Sequence, residues 1–77
     1  MNDKRRSKLS EAVSMIKKAH SIVQSVCDEE EDSMDRIPEN MENSVLHSRM
    51  EDAIDELESA SDDLESAVEY IERAKSV

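Results

Sequence analysis

Two histidines and the single cysteine, His20, Cys27 and His47, are the residues of this sequence most suited to bind a transition metal. All three flank the apolar stripe of the helices predicted below. His20 and Cys27 are about 10 Å apart along a helix, whereas zinc–ligand bonds are about 2.0–2.3 Å long. In a hairpin that turns near residue 40, His47 lies opposite Asp32. The spacing predicts no metal site within one chain and no cofactor, and leaves open a site shared across a dimer.

Cys27 could also act as a nucleophile, since it has no second cysteine with which to form a disulfide. A reactive thiol needs a nearby base, and the acidic run at 28–32 raises a thiol pKa instead of lowering it. The many carboxylate pairs would need a dry cleft that separates their pKa values, which a two-helix rod does not provide. We therefore expect no catalytic residues and no enzyme activity.

The elements that position these side chains follow from composition. The chain has 77 residues, no glycine, tryptophan or phenylalanine, and only one proline and one tyrosine. Sheets of this size use such turn and ring-bearing residues, so all-β and α/β folds are excluded. With 39% charged residues and a net charge of −10, order depends on whether the aliphatic residues fall in register.

The aliphatic residues do follow a heptad in two segments, which predicts two helices packed face to face. In the first segment, large residues at a alternate with small or branched residues at d. The same alternation runs over four heptads of the second segment. The a positions, which we assign to the seam of the hairpin and of a dimer, are Leu9, Ile16, Val23, Met50, Leu57, Leu64 and Ile71. The d positions are Ala12, Ala19, Val26, Leu46, Ala53, Ala60, Ala67 and Ala74.

Local signals predict where the helices end. Ser7 or Ser10 can cap the first helix, Pro38 breaks it, Asn43 suits a left-handed backbone and Ser44 can cap the second helix. The connection is short, so the helices form an antiparallel hairpin. The predicted single domain, 1–77, comprises a basic arm at 1–7, a helix at 8–35, a turn at 36–44 and a helix at 45–76.

The apolar stripe of the first helix is wider than one neighbouring helix requires. Val13, Met15 and Ile22 flank its a and d positions. One hairpin would leave this surface in water, so we expect two copies to form a homodimeric four-helix bundle with the first helices inside.

Charge is divided unevenly. Residues 1–26 carry six basic and two acidic side chains, whereas 27–77 carry four basic and eighteen acidic ones. In the hairpin, Lys8, Lys17 and Lys18 lie beside the acidic second half of the second helix, which favours antiparallel packing. The outward carboxylates of the second helix form what we call the acidic face: Glu51, Asp52, Asp55, Glu56, Glu58, Asp62, Asp63, Glu65, Glu69 and Glu72.

The acidic face has two interpretations. Side chains three or four residues apart lie about 5–6 Å from each other on a helix, so the face could imitate a row of phosphates and occupy a basic groove. Alternatively, it only keeps the protein soluble. Direct nucleic-acid binding is disfavoured because the basic N-terminal patch is short and the body repels phosphate. Without a long apolar run or a secretion signal, we expect no membrane contact and a cytoplasmic location.

One resemblance rests on the turn and the repeats of the second helix. Residues 35–44, 49–60 and 64–67 read DRIPENMENS, RMEDAIDELESA and LESA. They resemble small acidic helical-hairpin proteins of phages and mobile elements of Gram-positive bacteria, over residues 9 to 74. Those proteins have a P-E-N-L-Q-x-S turn and E-A-I-D-x-L-E-x-A repeats, whereas this chain has Asn43 where glycine is common and a basic first helix.

The resemblance implies a bacterial host, and the lack of a cleft in a two-helix rod predicts a non-enzymatic role. The most specific function that we predict is inhibition. The chain would occupy the nucleic-acid groove of a basic host protein, as anti-CRISPR proteins of the acidic, DNA-mimicking kind do. The alternative is a structural or scaffolding bundle whose acidity serves solubility alone.

Overall fold

A computed structural model describes residues 1–41 and 44–77 as two long antiparallel helices. Helix α1 covers Asp3–Asp35, a short 3₁₀ helix covers Glu39–Met41, and helix α2 covers Val45–Lys75. The predicted all-α helical hairpin is confirmed. The left-handed backbone predicted for Asn43 falls outside the described residues.

Helix α1 begins earlier than the sequence analysis placed it. Its N-cap is Asn2, whose side-chain oxygen accepts a hydrogen bond from the backbone N–H of Arg5 at 2.8 Å. Asp3 adds a negative charge in the first turn, where the helix dipole favours it. Ser10 is an interior residue whose hydroxyl donates to the carbonyl of Arg6. The segment 1–7 is therefore mostly helix and not a separate arm.

Helix α2 begins after the N-cap that the sequence indicates. The Ser44 side chain accepts a hydrogen bond from the backbone N–H of His47 at 3.2 Å. Helix α1 ends at Asp35, three residues before Pro38, whose ring cannot continue a helix. At the other end of the hairpin, the Arg6 guanidinium donates to the carbonyl of Lys75 at 3.0 Å, so α1 caps the last turn of α2.

The seam between the helices is rotated from the predicted heptad. The predicted a positions do line it, and all seven are half-buried. Between them lie residues one position after the predicted d positions, and four of these, Val13, Cys27, Ile54 and Ser61, are buried. The predicted d positions lie on one side of the hairpin, where Val26 and Leu46 are exposed. Val13 therefore fills the hairpin seam and is not left for a second copy.

Two contacts between the helices fix the register of the seam. Arg6 meets Lys75, and His20 meets Ser61, which lie fourteen residues closer to the turn on α1 and on α2 respectively. Stepping by one heptad places Val13 level with Val68 and Cys27 level with Ile54. A narrow core thus runs along the hairpin, interrupted at its centre by the polar His20 and Ser61.

The hairpin is long and thin, with Cα extents of 59 × 15 × 12 Å. Its accessible surface is 5855 Å², whereas a compact monomer of its 8.8 kDa mass exposes about 4,800 Å². About 1,000 Å² of additional surface is therefore exposed. Within 1–41 and 44–77, no helix has an apolar stretch long enough to span a membrane.

Candidate functional site

The acidic face lies on the exposed surface of α2. All ten of its carboxylate residues are exposed. Within the described residues, four of them, Glu51, Glu65, Glu69 and Glu72, lie within 4.0 Å of a basic nitrogen. The other six lack such a partner in the same part of the chain. The face is therefore a largely uncompensated strip of negative charge on a rigid helix.

Helix α1 does little to neutralise this strip. Lys17 shares a shallow open groove with Glu65 and Glu69. Within the described part of the chain, however, no ion pair shorter than 4.0 Å joins Lys8, Lys17 or Lys18 to α2. The attraction expected across the seam is thus limited to Lys17, which lies near Glu65 and Glu69. Lys8 and Lys18 do not contribute, because they project away from α2 in the rotated register.

Beneath the strip, a polar layer crosses the middle of the hairpin. It consists of His20 and Gln24 on α1 and Ser61 and Glu65 on α2. The Ser61 hydroxyl lies 2.8 Å from His20 Nε2 and donates to Gln24 Oε1 at 3.0 Å. Glu65 Oε1 lies 3.1 Å from the same His20 nitrogen. Ser61 itself is 5% exposed, so these bonds satisfy a hydroxyl that is otherwise buried.

The protonation of the layer follows from its donors and acceptors. A carboxylate oxygen only accepts, so His20 Nε2 carries a proton that Glu65 and Ser61 share. Ser61 therefore accepts a hydrogen bond from His20 Nε2 and donates one to Gln24 Oε1. In a Ser–His–acid relay the serine and the carboxylate bond opposite nitrogens of the ring, whereas here both meet Nε2. The layer is suited to fixing the register of the helices, as buried polar residues at heptad positions do.

A second cluster lies one heptad closer to the turn. Cys27 Sγ and carboxylate oxygens of Glu31 and Glu58 all lie within 4.8 Å of one another. Cys27 is 1% exposed, and its thiol is 4.0 Å from Glu31 Oε1. Burial and the charges of Glu31, Glu58 and Asp28 raise the pKa of the thiol. Cys27 is therefore a buried, protonated thiol and not an activated nucleophile.

The carboxyl of Glu31 is perturbed in the same direction. Burial, the charges of Glu58 and Asp28 and a hydrogen bond with Glu58 raise its pKa above its ordinary value of 4.5. One thiol and two carboxylates could together contact a cation. The carboxyl groups of Glu31 and Glu58, however, are already hydrogen-bonded to each other. Sequence reasoning missed this cluster; the Cys27–Glu31 spacing of four residues was visible, but Glu58 required the register.

The three residues first considered for zinc are in separate places. His20 belongs to the polar layer, Cys27 to the cluster with Glu31 and Glu58, and His47 Nδ1 lies 4.0 Å from Glu51 near the turn. Comparison with protein-family models, curated proteins and solved structures finds no match to this chain.

Proposed function

We propose that this chain is a non-enzymatic acidic interaction protein that inhibits a basic partner by occupying its nucleic-acid-binding groove. The observation that carries the proposal is the acidic face. Its ten carboxylates lie between residues 51 and 72, a stretch that contains no lysine or arginine. Over about 32 Å of helix this is one charge per roughly 3 Å, close to the one phosphate per about 3.4 Å of a nucleic-acid strand.

The cost of this arrangement supports a role beyond solubility. Like charges three or four residues apart on a helix destabilise it by about 0.2–0.5 kcal/mol per pair. A face that served solubility alone could alternate its signs and avoid this cost. A rigid row of carboxylates would instead gain a large electrostatic attraction to a basic groove, and it would displace the nucleic acid that the groove normally holds.

The resemblance to phage and mobile-element proteins fits such a role. A host defence protein of the kind that anti-CRISPR proteins block would be the partner, and the inhibitor would act in the bacterial cytoplasm. We further propose that the chain acts as a homodimeric four-helix bundle. The exposed apolar side chains Met15 and Ile22 support this, because water contact with them is costly.

A structural bundle is the second candidate function. The carboxylates cover more than half of the circumference of α2 and do not form one narrow line, a distribution that is also typical of a solubilising surface. In that case the acidic face would bind nothing, and the assembly itself would be the function.

Charge reversal separates the two candidates. Asp55, Asp62 and Glu69 lie one heptad apart along the middle of the acidic face, outside the polar layer and the Cys27 cluster. Changing all three to Lys should abolish capture of a basic protein from a bacterial host lysate, while helicity by circular dichroism is retained. Capture by the unaltered chain should be displaced by added DNA or RNA, and it should weaken steeply between roughly 50 and 200 mM salt.

The matched control makes the same change in net charge on α1. Glu11, Asp32 and Asp35 are exposed there. Their triple reversal to Lys should leave capture and its displacement by nucleic acid intact. If both triple variants behave alike, or if nucleic acid does not compete, groove occupation is wrong and the acidity serves solubility.

A further inference from the structure

The rotated seam leaves one side of the hairpin apolar along both helices. Four large apolar side chains are exposed there: Met15 by 64%, Ile22 by 57%, Val26 by 44% and Leu46 by 56%. Alanines fill the positions between them on both helices. We call this surface the apolar face, and its members are Ala12, Met15, Ala19, Ile22, Val26, Leu46, Ala53, Ala60, Ala67 and Ala74.

We infer that a second copy of this chain covers the apolar face with its own apolar face, about a two-fold axis that crosses the helices. In this arrangement α1 packs antiparallel against α1 of the second copy, and α2 packs antiparallel against α2. The inference rests on the dimer proposed above and not on the proposed inhibition, because the acidic face takes no part in it.

The area available fits a stable dimer. Thirty residues of each helix extend about 45 Å, and two adjacent helices of about 10 Å diameter present a face of roughly 900 Å². Two such faces would bury about 1,800 Å², within the range of specific interfaces of about 1,600 ± 400 Å². The accessible surface that each copy would bury in the dimer is close to the additional surface of about 1,000 Å² that the lone hairpin exposes relative to a compact monomer.

Side-chain size is self-complementary about this axis. With Ala19 on the axis, Ala12 of one copy lies against Val26 of the other, and Met15 lies against Ile22. On α2, with Ala60 on the axis, Leu46 meets Ala74. Large residues thus meet small ones along the centre of the contact, and the two exposed aliphatic side chains of α1 cover each other. Ala19 and Ala60 lie at nearly the same level of the hairpin, so a single axis satisfies both helices.

Charge is also complementary along the rim of α1. Lys8 and Glu29 are exposed at the two ends of the row that contains Met15 and Ile22. The same axis that pairs Met15 with Ile22 brings Lys8 of each copy to Glu29 of the other. The α2 rim opposes this, since Glu56 meets Asp63 of the second copy. Because each copy also has a net charge of −10, repulsion outweighs the Lys8–Glu29 attraction, and the dimer should tighten as salt screens it.

A second symmetric arrangement would also cover the apolar face. Its two-fold axis runs parallel to the helices, so that α1 of each copy packs against α2 of the other. It would place Met15 and Ile22 against the carboxylates of Asp63 and Glu56. Burying aliphatic side chains beside charged groups removes water from those charges without replacing it. The antiparallel arrangement avoids this cost for both aliphatic residues and is the one we infer.

Sedimentation equilibrium of the unaltered chain should give twice the 8.8 kDa chain mass. Ile22→Asp should weaken the dimer by about a hundredfold or more, because each interface then holds two unpaired charges. Ser25→Asp, on the outward side of the same helix turn, should leave the mass doubled. A monomeric unaltered chain, or equal behaviour of both variants, would overturn the inference.

A charge exchange tests the direction of packing. Lys8→Glu or Glu29→Lys alone should weaken the dimer about tenfold, and the double variant should restore it. These two residues are about 32 Å apart on one helix, so rescue requires contact between copies. Failure of the rescue with a dimer still present would refute the antiparallel arrangement.

Cross-linking gives an independent readout. Ala19→Cys should form a disulfide-linked dimer under mild oxidation, whereas Ser25→Cys should not; the native Cys27 thiol is buried in both. If Ala19→Cys stays monomeric on a denaturing gel, the two-fold is elsewhere. If all these tests succeed while the α2 charge reversal leaves capture unchanged, the interface holds and only the proposed inhibition fails.

Discussion

Truncating one buried isoleucine should reveal which residues hold the hairpin together. Ile54 is 6% exposed and lies level with Cys27 in the seam. The change Ile54→Ala removes three buried carbons, worth about 0.8 kcal/mol each, and leaves a partial cavity. Alanine has a better helix propensity than isoleucine, which offsets this loss by a few tenths of a kcal/mol. We expect a net loss of about 2–3 kcal/mol in the free energy of unfolding.

This loss is large relative to the whole protein. At about 0.05–0.15 kcal/mol per residue, a 77-residue chain has a total stability of about 4–12 kcal/mol. For a domain of this size, each kcal/mol lowers Tm by about 4–8 °C, so Ile54→Ala should lower Tm by about 10–20 °C. Melting would be followed by circular dichroism at one fixed chain concentration, because the proposed dimerisation would make Tm depend on concentration.

A matched control isolates the effect of burial. Val45 is 69% exposed at the start of α2, and Val45→Ala should change Tm by no more than a few degrees. In the heptad read from the sequence, Ile54 is a boundary residue beside the seam. If Ile54→Ala melts no earlier than Val45→Ala, the seam described above is wrong and the predicted a/d register is the better one.

Other changes probe the seam and its polar groups. Leu57→Asp should unfold the chain, since it buries an unpaired charge between the helices, and the helical circular dichroism signal should disappear. Ser61→Ala should cost only about 1 kcal/mol in urea unfolding, because its partners His20 and Gln24 can turn to water. Glu31→Gln should stabilise the chain at pH 7, where the native carboxyl must give up a proton that it holds more tightly than the unfolded chain does. Its advantage should shrink as the pH falls towards 4.5 and below, where the native carboxyl keeps its proton, and urea unfolding at several pH values would measure this.

The helices and their turn could be predicted because their signals are local. The aliphatic period, the absence of glycine, the break at Pro38 and the cap at Ser44 each act within a few residues. The start of α1 was missed for a related reason. Charged residues 3–8 have no apolar period of their own, although Lys and Arg are good helix formers and Asn2 is a strong cap.

The register could not be read from the sequence, because each large a residue has neighbours on both sides. On one side stand alanines, which made a regular a/d pattern. On the other side are Val13, Ile54 and Val68, which bury more surface than alanine and therefore pack into the seam between the helices. His20 and Ser61 occupy the same heptad position as these residues, and because they are polar, the sequence does not show this position as apolar throughout. Only packing against the opposite helix reveals that they satisfy each other.

The arrangement of the two proposed surfaces determines what the protein would resemble. One hairpin carries about one carboxylate per 3 Å, the charge density of a single strand. In the antiparallel dimer that we infer, the two α2 helices would lie side by side and would together carry twenty acidic-face carboxylates. Over about 32 Å this is one charge per roughly 1.6 Å, against one per about 1.7 Å for duplex DNA. The competing two-fold would instead separate the α2 helices to opposite corners. Dimerisation through the apolar face would thus raise the charge density from that of a single strand to that of a duplex, and the oligomeric state would decide which kind of groove the protein fits.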